Sequence, residues 1–329
     1  MIDYRRFTGS RDLRQKILSG LSWVPDKLML RVQFLLQTGR MLNLKNPTKF
    51  QDLIQAYKLY YRNPEMHRCV DKYAVREFIK DKGLGHTLVP LLGVYDKVED
   101  IDFDKLPDKF VVKSTDGSGN NQTKVCRGKT PEIIEEIKEA AQKWLSAPRP
   151  RKHGGREWAY DNDFPRRIII EEYLEENNDT CPEGKDKRGS DNGISLKTQG
   201  TKGKKTDVDD YKFFCYDGKY RILEWHKDRS CAHKAAHYDE RGEMIPDVKI
   251  YPEPFGDHPL PENFNEMVEI AERLSEGFPF VRVDLYNVNG KIYFGEMTFY
   301  PASGYFVYVP EETNDRLGSF FTYPFKSVR

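Results

Sequence analysis

The sequence predicts a mixed α/β or α+β fold with an N-terminal helical region. Three observations point there. The first sixty residues repeat apolar side chains at helical spacing between helix start and stop signals. Strand-like runs of Val, Ile, Phe and Tyr then alternate with amphipathic segments. Tight-turn residues join neighbouring strands into hairpins. At 329 residues the chain can hold two or three domains or one large multilobed body.

Each element has its own justification. The stretch PDKLMLRVQFLLQTG places Pro25 at a helix start, carries an apolar stripe and stops at Gly39. NPTKFQDLIQAYKLYYRN offers Thr48 as a cap and sets Leu53, Ala56, Tyr57 and Tyr60 on one face before Pro64. From Asp71, DKYAVREFIKDKG reads as a helix closed by Gly83, and TLVPLLGVY as a short strand broken by Pro90. The helices up to about Tyr61 are expected to cap the body through Leu35, Leu36, Leu53, Tyr57 and Tyr60, not to anchor it in a membrane, while peripheral association with a membrane-bound assembly stays open.

DKFVVKSTDGSGNNQTKVCRG reads as strand, glycine-bearing loop, strand. PEIIEEIKEAAQKWL is an amphipathic helix with Pro131 in its first turn. RRIIIEEYLEE is a strand of Ile168, Ile169 and Ile170 that runs into glutamates. No aromatic residue lies between Leu174 and Asp210, where Gly, Lys, Asp, Ser and Thr dominate, so 177–210 reads as a polar insertion. DYKFFCYDGKYRILEW turns at Asp217–Gly218. PENFNEMVEIAERLSEG is a helix, and FPFVRVDLYNVNGKIYFGEM is two strands joined around Asn287–Gly290. The expected organisation is a helical region over 1–64 and a main body over 65–329.

Bulk composition excludes several classes. Lys and Arg total 53 against 52 Asp and Glu, so no net charge draws the chain to nucleic acid. Mean hydropathy is −0.74, and the apolar stretch from Leu28 to Leu36 is interrupted by Arg31 and Gln33, so no transmembrane segment is expected. The cysteines, Cys69, Cys126, Cys181, Cys215 and Cys231, are odd in number and form no CxxC pair. A disulfide framework or zinc ribbon is therefore not expected, and a reducing cytoplasm is the default setting.

Chemistry enters where carboxylates interrupt apolar strands. YFGEMTFYPASG puts Glu296 at the end of a buried run and follows it with Pro301, Ser303 and Gly304. An unpaired buried carboxylate is costly and calls for a cation, a donor or a metal. Arg282 and Asp284, two residues apart on the preceding strand, share a face, and the turn brings Glu296 back towards it. Two carboxylates beside an arginine suit Mg²⁺, which takes few protein oxygens and completes its shell with phosphates; a surface hairpin with a salt bridge accounts for the same spacing. Lys113, after FVV and before STDGSGNN, can reach phosphate oxygens while a glycine loop closes over them, although no Walker GK[ST] follows and an ordinary hairpin turn reads the same way. Glu171 and Glu172 suit either a nucleotide-binding hinge or a solvated strand end. CAHKAAHYD sets His233 and His237 four apart, a metal pair if helical; a polar substrate-facing loop is the simpler reading. Asp207 and Asp209 of DVDD match the Asp-x-Asp pattern of nucleotide-sugar glycosyltransferases, but inside the polar insertion.

The order of these features resembles the ATP-grasp superfamily, and specifically its TupA-like branch of polysaccharide and teichuronopeptide biosynthesis. DKYAVREFI, LPDKFVVKSTDGSGNN, IIIEEYL, DYKFFCYDGKYRIL and VRVDLYNVNGKIYFGEMTFYPASG carry the likeness, over residues 65–329. The resemblance implies two α+β lobes gripping ATP: a nucleotide lobe over 108–173 and a metal and substrate lobe over 211–329. It implies that Lys72 and Lys113 contact the phosphates and that Ser114, Gly117, Ser118, Gly119, Asn120 and Asn121 close over them. Glu171, Glu172, Tyr173 and Leu174 would form the adenosine hinge. Asp284, Glu296 and Thr298 would hold Mg²⁺, with Mn²⁺ as a substitute. Arg282 would face the transferring phosphoryl group, with Arg229 and Lys212 as further catalytic residues. Many relatives carry Glu-x-Asn where this chain has Glu296-Met297-Thr298, so the second metal would be held differently or more weakly. The implied activity is a cytoplasmic ATP-dependent carboxylate–amine ligase serving capsule or cell-surface polysaccharide, with ATP, a carboxylate and an amine as substrates. The alternatives are a glycosyltransferase of the same pathway and an ATP-binding module without turnover.

Overall fold

The N-terminal part of the chain contains α1 (Asp26–Thr38), α2 (Phe50–Tyr60), α3 (Glu65–Val70) and α4 (Val75–Asp81). The structure, a computed structural model, describes residues 17, 18, 20–117, 122–149, 152–176, 208–227, 233–245, 248 and 258–325. Helix α1 stops where Gly39 adopts φ 74°, a left-handed cap that glycine takes without steric cost. Helix α2 departs from expectation in two ways. Lys49, not Thr48, holds the cap position, and the helix is buried from Phe50 through Lys58 with polar residues included. It packs against the larger sheet, the C-terminal helix and the Pro301–Gly304 turn, so every face meets protein. Its polar side chains are therefore partnered: Asp52 accepts from Arg40 at 2.9 Å, and Gln51 donates to the Phe306 carbonyl at 2.8 Å.

The N-terminal cap holds through Met29, Leu30, Phe34, Leu53 and Tyr57, all buried. Leu35, Leu36 and Tyr60, expected on the same inward faces, are exposed. The cause is the helical period. Leu30 and Phe34 point at the body, which turns Leu35 and Leu36 away from it.

A four-stranded antiparallel sheet follows, ordered β1 (Leu91–Tyr95), β4 (Ile168–Glu172), β2 (Phe110–Ser114), β3 (Thr123–Cys126). One face, with Phe110, Val112, Ile168 and Ile170, packs on helix α5 (Pro131–Ser146), whose Thr130 cap accepts from the Ile133 amide. Lys113 and Glu171 project from the other.

The second sheet has five antiparallel strands ordered β7 (Lys234–Asp239), β6 (Lys219–Lys227), β5 (Asp210–Tyr216), β8 (Val281–Val288), β9 (Lys291–Thr298). Asp217–Gly218 (φ 46° and 77°) and Asn289–Gly290 (φ 53° and 79°) make its two-residue hairpin turns, the left-handed pairs that match strand twist. Helix α6 (Phe264–Ser275) covers one face through Met267, Ala271 and Leu274. Helix α7 (Glu312–Ser319) closes against α2. Phe50, Leu53, Ile54 and Tyr57 of α2 share one apolar core with this sheet, while Ala56 joins Leu30, Phe34, Leu42 and Leu44 in a small cluster of their own. CAHKAAHYD is neither helix nor loop from Lys234 on. It is edge strand β7, paired in register with β6 and buried on both faces from Ala235 to Tyr238. Among the described residues no helix is long and apolar enough to cross a membrane.

Candidate active site

The pairing registers align five polar side chains across the larger sheet. His237 on β7 lies opposite Glu224 on β6, Glu224 opposite Lys212 on β5, Lys212 opposite Asp284 on β8, and Asp284 opposite Glu296 on β9. Glu296 joins this row because of a bulge. From the Asn289–Gly290 turn, regular pairing would set Asp284 against Gly295 and turn Glu296 to the opposite face. Instead the register shifts between Asp284 and Leu285, and Gly295 is the extra residue. A Cβ there would lie 3.0 Å from the Asp284 carbonyl oxygen and 3.2 Å from the Tyr286 ring, so glycine is what lets the strands approach.

Arg282 ties the row together. It donates from Nε to Asp284 Oδ1 at 2.6 Å and from Nη2 to Asp284 Oδ2 at 2.7 Å. The same Nη2 donates to Glu296 Oε1 at 3.2 Å and Thr298 Oγ1 at 3.1 Å. Lys212 donates to Asp284 Oδ2 at 2.7 Å and Asp210 Oδ2 at 2.5 Å. Burial pushes the Asp284 carboxyl up to about 6 against the pull of Arg282 and Lys212. Burial also disfavours the Arg282 charge, yet Asp284 and Glu296 more than offset it and hold the guanidinium above its usual range. The rise of Asp284 comes from burial and not from the pair, and a bidentate contact of this kind favours the charged form of both groups. Glu296 is only half-buried; burial raises its carboxyl, but Arg282, Lys212 and Lys72 win and hold it below the usual range.

That coupling reaches the other sheet. Lys72, just before α4, receives an opposing charge from Glu296 and a like charge from Lys113; burial is the largest cause that lowers it. Lys72 donates through its backbone to the Thr115 carbonyl at 2.9 Å and through Nζ to the Gly117 carbonyl, so it pins the loop that leaves β2. Ser114 donates to Asp116 at 2.8 Å, and Arg166 holds the other Asp116 oxygen at 2.6 Å. Lys113 donates to Glu171 Oε2 at 2.7 Å while Arg76 Nη1 donates to Oε1 at 3.1 Å. Glu171 is thus a buried carboxylate shared by two cations, whereas Glu172 ends β4 exposed, with its amide on the Pro90 carbonyl at 3.0 Å. Tyr173 and Leu174 follow, half-buried, with the Arg127 guanidinium 5.7 Å from the Tyr173 ring. Ser118, Gly119, Asn120, Asn121, Asp207 and Arg229 lie outside the described residues.

The donor set fits a hard divalent cation. Asp284 and Glu296 face each other with the Thr298 hydroxyl beside them, and a cationic nitrogen of Arg282 already lies between the oxygens. No group of three or more His, Cys, Asp or Glu side chains among the described residues is arranged to hold a metal, so His233 and His237 form no transition-metal site there. His233 instead meets His226, ring nitrogen to ring nitrogen at 2.8 Å, and His226 also meets Glu224. His237 is buried with its Nε2 3.8 Å from Glu224 Oε2.

Several of these groups escaped the sequence. Glu224 carries the signal that drew attention to Glu296, a carboxylate inside an apolar strand, in YRILEW. Arg76 and Lys58 gave none. Lys58, fully enclosed, donates to the Gly155 carbonyl at 3.0 Å and to the Ser303 carbonyl and hydroxyl at 2.8 Å. With Gln55 it holds a turn in which Ala302, Ser303 and Gly304 take φ 45°, 56° and 67°. Successive left-handed non-glycine residues persist only where their surroundings enforce them.

A family model described as "TupA-like ATPgrasp" matches residues 52–188 and 192–322. No curated protein matches the sequence. Among solved structures the chain is similar to a D-alanine–D-alanine ligase from Bacillus anthracis, at 17% identity over 76% of this chain and 63% of that one, TM-score 0.39. It is also similar to the D-alanine–D-alanine ligase from Helicobacter pylori, at 12% identity over 84% and 70%, TM-score 0.43. An L-amino acid ligase from Bacillus licheniformis matches at 14% identity over 72% and 42%, TM-score 0.37. The chain therefore spans less than two thirds of the Bacillus anthracis enzyme it matches.

Proposed function

The chain belongs to the TupA-like ATP-grasp family, and from that premise we propose that it is an ATP-dependent carboxylate–amine ligase. The observation that carries the reading is the in-register row of Lys212, Asp284 and Glu296 with Arg282 at its centre. Lys72 and Lys113 bind the triphosphate beside the start of the loop that leaves β2 at Ser114. The segment Glu171–Leu174 receives the adenosine. Asp284, Glu296 and Thr298 hold Mg²⁺, which when bound neutralises phosphate charge. Arg282 and Lys212 lie beside these carboxylates and stabilise the charge that moves with the γ-phosphoryl group.

The substrate carboxylate attacks the γ-phosphorus, ADP leaves, and the acylphosphate is opened by an amine, with inorganic phosphate as the second leaving group. A carboxylate is already a nucleophile, so this route needs no Ser-His-Asp or Cys-His device in its first step. The Pro301–Gly304 turn, held by Lys58 and Gln55, forms the floor on which the acceptor lies. The setting is assembly or modification of a cell-surface polysaccharide.

Thermal denaturation with nucleotides tests the reading. Mg-ATP at a hundredfold excess over its Kd should add about 2.7 kcal/mol of stability, and ADP release should then appear with one member of a panel of uronic acids, glycan precursors and amino acids. A melting shift with UDP-sugars and none with Mg-ATP would favour the glycosyltransferase instead. Against that rival, Asp209 is engaged by the Trp225 indole at 2.9 Å and lies 3.5 Å from Lys227.

A further inference from the structure

More than half of the large apolar side chains that stand exposed among the described residues fall between Ile17 and Met41. Leu28, Val32, Leu35 and Leu36 recur at i, i+4, i+7 and i+8 of α1 and form one outward stripe. Trp23, 78% exposed, and Met41, 70% exposed, flank its two ends. The helix is not loose. Leu30 and Phe34 are buried, and Gln33 donates to the Gly154 carbonyl at 2.9 Å and accepts from the Tyr305 hydroxyl at 2.8 Å. A firmly seated helix thus presents a second apolar face away from the body.

The charges beside it have one sign. From Gly20 to Gln51 the cations are Lys27, Arg31, Arg40, Lys45 and Lys49, and the one acid is Asp26. Asp26 accepts from Lys152 at 2.9 Å, and Arg40 and Lys49 are matched by Asp52 and Glu311. Lys27, Arg31 and Lys45 stand exposed, without an acidic partner among the described residues. A second copy docked face to face would bring these cations together with no acid between them, which disfavours self-association here.

We propose that the outer face of α1 docks on an anionic phospholipid surface, the apolar stripe dipping into the headgroup boundary while Lys27 and Arg31 meet lipid phosphates. At 13 residues α1 is too short to span a bilayer, so the helix would lie along the surface. This inference does not rest on the catalytic reading.

The test is sedimentation of the full-length protein with vesicles of phosphatidylcholine alone or with roughly 30% phosphatidylserine. The anionic vesicles should retain the protein, and salt should weaken retention. Leu28→Glu with Leu36→Glu, and separately Lys27→Glu with Arg31→Glu, should each lower partitioning at least about tenfold. All four side chains are exposed, and unchanged melting would certify the fold of both variants. The proposal is overturned if the full-length protein ignores both vesicle types, binds neutral vesicles equally, or binds anionic ones undiminished in both variants. It is equally overturned if Leu28→Glu with Leu36→Glu abolishes a concentration-dependent dimer while vesicles are not bound.

Discussion

Replacing Asp284 by asparagine and Glu296 by glutamine removes one charge from each of two facing carboxylates, yet the two changes should differ sharply in stability. Asp284 is 2% exposed and is contacted by Arg282 at 2.6 and 2.7 Å and by Lys212 at 2.7 Å. Neutralising it strands two largely buried cations, a loss of at most about 3–5 kcal/mol, because the neutral side chain also escapes the burial cost that raises the Asp284 carboxyl. For a chain of 329 residues that lowers Tm by roughly 4–7 °C. The Glu296 side chain is 44% exposed and contacts Arg282 only at 3.2 Å. Solvent screening limits that contact to less than about 1 kcal/mol, so Glu296→Gln should melt within roughly 2 °C of the wild type. Glu296→Gln should nevertheless lose ADP release with the true substrate and the Mg²⁺-dependent part of ATP stabilisation, because a neutral amide is a poor ligand for a hard cation. Differential scanning fluorimetry with and without Mg-ATP reads both effects. The reasoning fails if Asp284→Asn melts like the wild type, or if Glu296→Gln costs as much stability as Asp284→Asn.

Three further outcomes follow from the same geometry. Gly295→Ala should destabilise by about 1–3 kcal/mol, since the new methyl meets the Asp284 carbonyl oxygen at 3.0 Å, and should weaken Mg²⁺-dependent ATP stabilisation; isothermal titration and melting check it. Thr298→Asn should lower the Mg²⁺ concentration that half-saturates ATP stabilisation, because an amide oxygen replaces a hydroxyl beside Glu296; an unchanged or raised requirement would mean the site is built around the hydroxyl. Lys58, lowered to about 8 by burial against the opposing pull of Glu157, binds its proton less tightly folded than unfolded. Its charging penalty is therefore fully present below pH 8 and is relieved as pH rises from 8 towards the ordinary lysine value. Relative to Lys58→Met, the wild type should gain about 2 kcal/mol between pH 7 and 9.5 in urea denaturation, and a flat difference would contradict the assignment.

The local elements were determined by the sequence itself. Gly39, Pro131, Asp217–Gly218 and Asn289–Gly290 act through their own backbone preferences, so helix stops and hairpin turns were legible without a partner. The Arg282–Asp284 face was equally legible, because alternation along a strand is intrinsic. The ATP-grasp resemblance rested on motifs of this local kind, and the family match agrees with it. Tertiary structure decided what depends on neighbours distant in sequence. The bulge at Gly295 turns Glu296 onto the Asp284 face, and a regular continuation of the same turn would have sent it to the other side. Glu171 meets Arg76, 95 residues away, and Lys113, 58 away, and such pairings leave no periodic trace. His237 became an edge-strand residue through pairing with β6, where spacing alone allowed a helix or a loop. Helix α1 carries apolar residues on two faces, and periodicity marks both without ranking them. Only the packing of Leu30 and Phe34 against the body settles which face is buried, and that leaves Leu35 and Leu36 to the outside.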